Sequence, residues 1–318
     1  MLRRAVTSTP VRAAVTIALL AALAFWIDWS RFANRVEHGR WDLFAAGVAV
    51  VAVALAVAGA RWHIFLLAAG VRTGFLRALR AYEIGMFANN FLPTGFGGDV
   101  ARAWIVGTAA GARTRAAVSV VVDRLSALAC LVVLGWIAFA ISGDVPAALV
   151  AALAAVSILG ALVGGMLFVG PRVGGRARAE TRRSRWFHSE TSRAFRASLE
   201  DTAVLARTTA LGLGYQAGIV FATWLLARAI RLDVSFAVLA VVTPVVLIAT
   251  VIPISIAGFG VREAGYAALL GKAGVSVADA TLLSLLNVAA LAIATLPGAV
   301  ALLAPNRGAP PTASEREP

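Results

Sequence analysis

The stretch Leu92-Pro93-Thr94-Gly95-Phe96-Gly97-Gly98-Asp99 decides how this chain folds. It lies within residues 78–112, which are otherwise apolar enough to pass for a membrane span. A helix does not run smoothly through it, because Pro lacks the backbone donor and Gly favours other backbone conformations. The reading is a re-entrant pair of half-helices, the first ending at Asn89 and Asn90 and the second starting at Asp99. Broken backbone at membrane depth is tolerated only against protein or a watery cavity.

The composition around this stretch sets the class. Apolar residues make up 60% of the 318 and charged residues 14%, against about 45–50% and 25% in globular domains. Mean hydropathy is +0.84. Such a chain cannot cover a water-facing surface, which argues against a soluble enzyme. Lys and Arg number 29 against 16 Asp and Glu, a net charge of +13, and all but Lys272 are Arg. In a membrane protein that excess reports the positive-inside rule rather than nucleic acid. Cys130 stands alone in an apolar run, so neither a disulfide framework nor a Cys-based zinc site is expected.

Stretches long enough to span a bilayer, about 20 residues each, are Val11–Trp29, Trp41–Ala60, Ala116–Ile141, Pro146–Gly170, Thr208–Ala229, Ser235–Ile252 and Ala280–Leu303. The first reads as a retained signal-anchor helix, since it runs into Trp26 and Trp29 without a cleavage site. Segment 171–207 carries nine Arg against Glu180, Glu190, Glu200 and Asp201. It and the N-terminus, with Arg3, Arg4 and Arg12, are expected in the cytoplasm. An even number of crossings must then separate them, so 78–112 re-enters. The predicted fold is an all-α polytopic membrane helix bundle of about seven spans plus two broken re-entrant segments in a pseudo-repeat. It forms one domain over 1–304, with a disordered tail over 305–318.

The second break is Pro253-Ile254-Ser255-Ile256-Ala257-Gly258-Phe259-Gly260, followed by Val261-Arg262-Glu263. Both breaks contain Pro and then Gly-Phe-Gly. Each comes after a span running inward, which predicts parallel rather than inverted repeats. Matched Gly/Pro interruptions in two halves point to a transporter's binding site. Helix N-termini attract anions, and Arg102 and Arg262, one after each break, bind phosphate bidentately. The alternative is that the glycines only let helices approach and that the arginines snorkel or pair with Asp99 and Glu263.

Asp123 and Arg124 lie inside the third span, where ionisable groups are costly. Being adjacent, they point about 100° apart and cannot pair well. Asp123 is expected to meet an arginine of a broken segment and Arg124 a carboxylate or phosphate; a structural ion pair near the cytoplasmic interface is the alternative. Arg61-Trp62 reads as an interfacial anchor. No metal or cofactor is expected, since no His/Asp/Glu cluster and no Walker-type loop is present.

These residues resemble the lysylphosphatidylglycerol synthase transmembrane-region family, also described as flippase-like or dolichol-phosphate-sugar-synthase-like integral membrane proteins. The resemblance rests on Arg61-Trp62, Asn90-Phe91-Leu92-Pro93 with Gly98-Asp99 and Arg102, Asp123-Arg124-Leu125, and Pro253-Ile254-Ser255 with Gly258-Phe259-Gly260-Val261-Arg262-Glu263. It covers essentially the whole chain. Asp99, and often Asp123, stand where the family has Glu. The resemblance implies a multi-pass protein of a bacterial inner membrane that handles lipids or lipid-linked sugars. It does not imply synthase activity, which in fused members belongs to a separate soluble domain that nothing after Leu303 could hold.

The expectation is therefore a non-enzymatic flippase-like transporter of a phospholipid or lipid-linked headgroup. The expected headgroup site is Asn90, Pro93, Gly97, Gly98, Asp99, Arg102, Asp123, Arg124, Pro253, Ser255, Gly258, Gly260, Arg262 and Glu263. Its partners would be membrane lipids with an anionic or phosphate headgroup, and an envelope-biosynthesis enzyme is a further possible partner; nucleic acid is not expected. The rival readings are a membrane-embedded transferase and an accessory subunit in lipid-linked sugar or cell-envelope metabolism.

Overall fold

Long apolar runs without Pro or Gly clusters become helices, and the two breaks become hairpins. The computed structural model describes residues 28–91, 97–142, 145–168, 201–251, 255 and 258–303, together with Ile17, Ala21 and Phe25. Most of the first expected span, the loop 171–200, the tail, and Pro93 and Pro253 lie outside the described residues. The helices are α1 (Trp29–Glu37), α2 (Trp41–Ala68), α3 (Phe75–Phe91), α4 (Gly97–Ala109), α5 (Arg113–Ser142), α6 (Ala147–Phe168), α7 (Thr202–Ala229), α8 (Phe236–Val251), α9 (Val261–Gly271), α10 (Val277–Ala294) and α11 (Leu296–Leu303).

Among the described residues four stretches are long and apolar enough to cross a membrane: Trp41–Ala68, Arg113–Ile141, Thr202–Ala229 and Val277–Leu303. At 28 residues, α2 extends about 42 Å. The most extensive packing in the bundle joins α2 and α7, which run antiparallel. Gly47 lies under Leu226 and Ala222, Gly218 under Ala54, and Gly212 beside Arg61. Small residues let the backbones approach, the usual device between membrane helices. The buried interior is mostly apolar but takes in charged side chains, and large apolar side chains also face outward. Arg61, Asp123 and Glu263 are 1%, 2% and 0% exposed, whereas Val53, Val100 and Ile141 are 65%, 67% and 81% exposed. Only a hydrocarbon solvent suits that distribution.

The first break behaves as expected. α3 and α4 fold back on each other, with Gly85 against Gly98. The Asn89 carboxamide oxygen accepts from Gly98 N–H at 2.7 Å, capping α4. The mouth of this hairpin lies at the Ala68 end of α2: Leu79 and Tyr82 touch Gly59, and Gly107 of α4 touches Arg113 at the start of α5.

The second break differs from expectation in two ways. α8 has only 16 residues, about 24 Å, so Ser235–Ile252 is one arm of a hairpin and not a full crossing. α9 runs back along it, with Gly258 beside Thr250, Gly265 beside Val246, and Tyr266 near Thr243. The mouth of this hairpin lies at the other end of α2. There Arg40 N–H donates to Ala229 O at 2.7 Å. Arg31 and Arg35 of α1 grip Asp279 of α10 at 2.7 and 3.1 Å, and Arg35 also donates to Ile230 O and Arg231 O. The two hairpins therefore enter from opposite ends, an inverted rather than parallel arrangement. The parallel reading failed because hydropathy counted α8 as a whole span and so reversed the direction of every segment after it.

From this second end α10 and α11 cross the full bundle, bending at Thr295. Asn90 Nδ2 donates to Thr295 Oγ1 at 2.7 Å, and Arg80 Nη2 donates to Ala301 O at 2.6 Å. Leu303 thus finishes at the end where α3 and α5 begin.

Candidate functional site

Five charged side chains from α2, α4 and α5 form one ladder in the order Arg61, Asp123, Arg102, Asp99, Arg124. Arg61 Nε and Nη2 donate to Asp123 Oδ1 at 2.9 and 2.7 Å. Arg102 Nη2 donates to Asp123 Oδ2 at 3.0 Å, and its Nε donates to Asp99 Oδ1 at 3.0 Å. Arg124 Nε donates to Asp99 Oδ2 at 2.7 Å. Each carboxylate thus bridges two arginines. Asp99 is placed by the start of α4, directly after the Gly97-Gly98 break, and Arg102 stands one turn later on the same face.

Aromatic side chains hold the centre of the ladder. The Arg102 guanidinium carbon lies 4.6 Å from the Trp62 ring centre and 4.8 Å from that of Tyr82. Such contacts gain strength when desolvated. Trp62 Nε1 is in turn fixed by Ser119 Oγ at 3.1 Å. Gly212 makes room beside Arg61, since a Cβ there would lie 2.6 Å from Cys130 Sγ and 3.0 Å from Arg61 Nη1.

The charges do not cancel. Three guanidiniums face two carboxylates, leaving a formal excess of one positive charge. Nη1 of Arg61 and Nη1 of Arg102 are buried with no hydrogen-bond partner among the described residues. The Arg124 side chain, 40% exposed, brings the ladder to the surface. Buried donors without acceptors and a net positive charge both favour an anion.

Arg61 and Trp62 are therefore core residues and not an interfacial anchor. α2 continues past them to Ala68, and both are at most 1% exposed. Asp123 meets Arg102 of the first broken segment, and Arg124 meets the carboxylate of Asp99. Arg61, Trp62 and Tyr82 complete this set, although the sequence reading did not place them in it.

The second set surrounds the start of α9. Gly258 and Gly260 have φ of +79° and +82°, a region that suits glycine. Glu263 does not turn toward Arg262. Its Oε2 accepts from Gly260 N–H at 2.6 Å, and its Oε1 accepts from the Ser284 hydroxyl of α10 at 3.0 Å. The end of α9 thus already holds a carboxylate of its own. Arg262 stands beside Gly258 with its Nε buried and without a hydrogen-bond partner among the described residues, and Ser255 of the break is buried. The hydrogen bonds of Glu263 go to Gly260 and Ser284 and not to the ladder. Asn90 belongs to neither set, being tied to Thr295. Among the described residues no cluster of three His, Cys, Asp or Glu could hold a metal ion.

A charged core in an apolar shell, with helices broken from both ends, defines a polytopic integral membrane protein. The family model of the lysylphosphatidylglycerol synthase transmembrane region matches residues 13–298, so the chain belongs to that family. Membership points to a membrane protein of lipid or envelope metabolism. No curated protein and no solved structure matches the chain.

Proposed function

We propose that the protein is a non-enzymatic lipid transporter of a bacterial inner membrane, moving a lipid with a phosphate-bearing headgroup between leaflets. In this reading the N-terminus and the loop 171–207 face the cytoplasm. The observation that supports it is the ladder: one uncompensated positive charge and two buried guanidinium nitrogens without a hydrogen-bond partner among the described residues, reached from the surface at Arg124. A phosphodiester supplies one negative charge and oxygens for those donors. Asp99 and Asp123 keep the arginines in place while the site is empty and compete for them when a headgroup arrives. That competition gives exchange instead of tight binding. The inverted hairpins bring a broken, glycine-lined segment into the bundle from each side, an arrangement in keeping with alternating access.

The test is leaflet-resolved movement of headgroup-labelled phosphatidylglycerol in proteoliposomes. Arg124→Gln keeps the buried part of the ladder and removes its exposed cation. A charge-assisted hydrogen bond contributes about 1.5–3 kcal/mol, so movement is expected to slow by about 10- to 100-fold. Wild-type rates in the folded variant would sink the proposal, as would the absence of movement by the wild type.

A further inference from the structure

Most carboxylates that the bundle takes in are held by donors. Asp99 and Asp123 each accept from two guanidiniums, Asp279 from Arg31 and Arg35, and Glu263 from the Gly260 N–H and the Ser284 hydroxyl. Glu83 of α3 is held by none. Its Oε2 is buried and has no hydrogen-bond partner among the described residues. Glu83 stands about 12 Å along α3 from Phe75, on the arm that re-enters the bundle. An ionisable group at that depth is costly, and one without a partner asks for a function.

The charged groups around it are turned elsewhere. Arg80, one turn back on α3, is spaced to pair with Glu83. Its Nη2 and Nε instead donate to Ala301 O of α11, at 2.6 and 3.2 Å. Arg77 lies nearly two turns away on the same helix. α11 packs here, with Gly298 against the Glu83 backbone, and carries no titratable side chain. On α4, Asp99 and Arg102 belong to the ladder. On α2, Arg61 belongs to it too, and His63 is bound to Thr73 O at 2.9 Å. Tyr82, the preceding residue, lies against Arg102.

We infer that Glu83 is a proton-binding site in the first hairpin. A carboxylate taken out of water with no donor to hold it is less stable than the neutral acid. The residue as a whole is only half-buried, so water can deliver the proton and take it back. An O–H bond forms on the less enclosed oxygen, Oε1, and Oε2 is left as a carbonyl oxygen. A neutral carbonyl oxygen without a donor costs far less than a charged one. No existing hydrogen bond has to break, so the site loads and unloads with the hairpin intact. The ladder carboxylates differ here, because guanidiniums only donate and could not accept from a protonated Asp99 or Asp123. Loading removes a negative charge one residue from Tyr82, whose ring lies 4.8 Å from the Arg102 guanidinium carbon. The hairpin becomes more attractive to an anion. If the proposed lipid movement holds, a proton and an anionic headgroup are therefore taken up together; the proton site itself does not depend on it.

The experiment is pH-difference infrared spectroscopy of the purified chain in lipid nanodiscs, with no transported lipid added. Acidification is expected to produce the carbonyl stretch of a carboxylic acid in a poorly hydrated site. Glu83→Gln, which keeps the shape of the neutral acid, should abolish that band. Glu263→Gln, in the other hairpin, should leave it in place. Glu83→Asp keeps a carboxyl on a shorter stem and should shift the band, which decides the matter if the Gln variant does not fold. An unchanged band in Glu83→Gln or in Glu83→Asp, its loss in Glu263→Gln, or no acid-induced carboxyl band in the wild type would overturn the proton site. Failure of lipid movement in the Arg124 experiment would leave this spectrum unaffected, so the two proposals fail separately.

Discussion

The two broken hairpins begin from similar sequence, Pro followed by Gly-Phe-Gly and an arginine, and are built for different chemistry. The α3–α4 hairpin is tight and charged. Gly85 and Gly98 bring its backbones together, and its Asp99 and Arg102 join a ladder with α2 and α5. The α8–α9 hairpin is looser, and its carboxylate is held by neutral groups. A Cβ on Gly265 would meet only Val246 side-chain atoms, at 3.3 Å and beyond, and Glu263 is satisfied by an N–H and a hydroxyl. A break in a membrane helix therefore does not dictate what it holds. The neighbouring helices do: α2 and α5 bring Arg61, Asp123 and Arg124 to the first break, while α10 brings Ser284 to the second.

Substitutions that exploit this difference should rank in order. The largest effect is expected from Asp123→Asn, which leaves Arg61 and Arg102 around a neutral group. Removing one partner of a buried pair costs about 3–5 kcal/mol. Glu263→Gln leaves its two direct partners, the Gly260 N–H and the Ser284 hydroxyl, neutral and should cost about 1 kcal/mol. Thermal unfolding of the detergent-solubilised protein compares them, and equal losses would erase the distinction between a carboxylate held by guanidiniums and one held by neutral groups.

Next come the glycines. A Cβ on Gly98 would collide with the Gly85 carbonyl, which is backbone and cannot step aside. Gly98→Ala should cost about 1–3 kcal/mol, as overpacking does. Gly265→Ala meets only the Val246 side chain and gains helix propensity, so it should fall within about 1 kcal/mol of wild type. The same unfolding assay applies, and a Gly98→Ala protein as stable as Gly265→Ala would show that the first hairpin is not the tighter one. The smallest effect is expected from Asn89→Ala, which removes the cap on Gly98 N–H and should cost about 1 kcal/mol. Hydrogen exchange at the first turn of α4 should rise in that variant while exchange at the start of α9 stays unchanged.

Much of this was legible in the sequence. Pro93 with Gly95, Gly97 and Gly98 marks a break, and parity of the Arg-rich segments makes it a hairpin. Asp99, Arg102, Asp123 and Arg124 announce themselves because charges are costly among apolar neighbours. Arg61 did not, since an Arg-Trp pair near the end of a 20-residue apolar run is what an interfacial anchor looks like. Its burial comes from α2 continuing through His63 to Ala68 and from Gly212 of α7 leaving space for it.

By itself the amino-acid sequence determined the class, the helices, the breaks and four of the five charges in the ladder. Each of these depends on local composition: hydrocarbon favours apolar runs, Pro and Gly interrupt helices, and a buried charge needs a partner. Direction and partnership were decided only by the tertiary structure. Hydropathy measures how apolar a segment is and carries no sign of which way it runs, so the inversion of the second hairpin appeared only when α9 was seen lying back along α8. Nor does a sequence state which guanidinium reaches which carboxylate; the packing of α2, α4 and α5 decided that, and gave Glu263 to a serine.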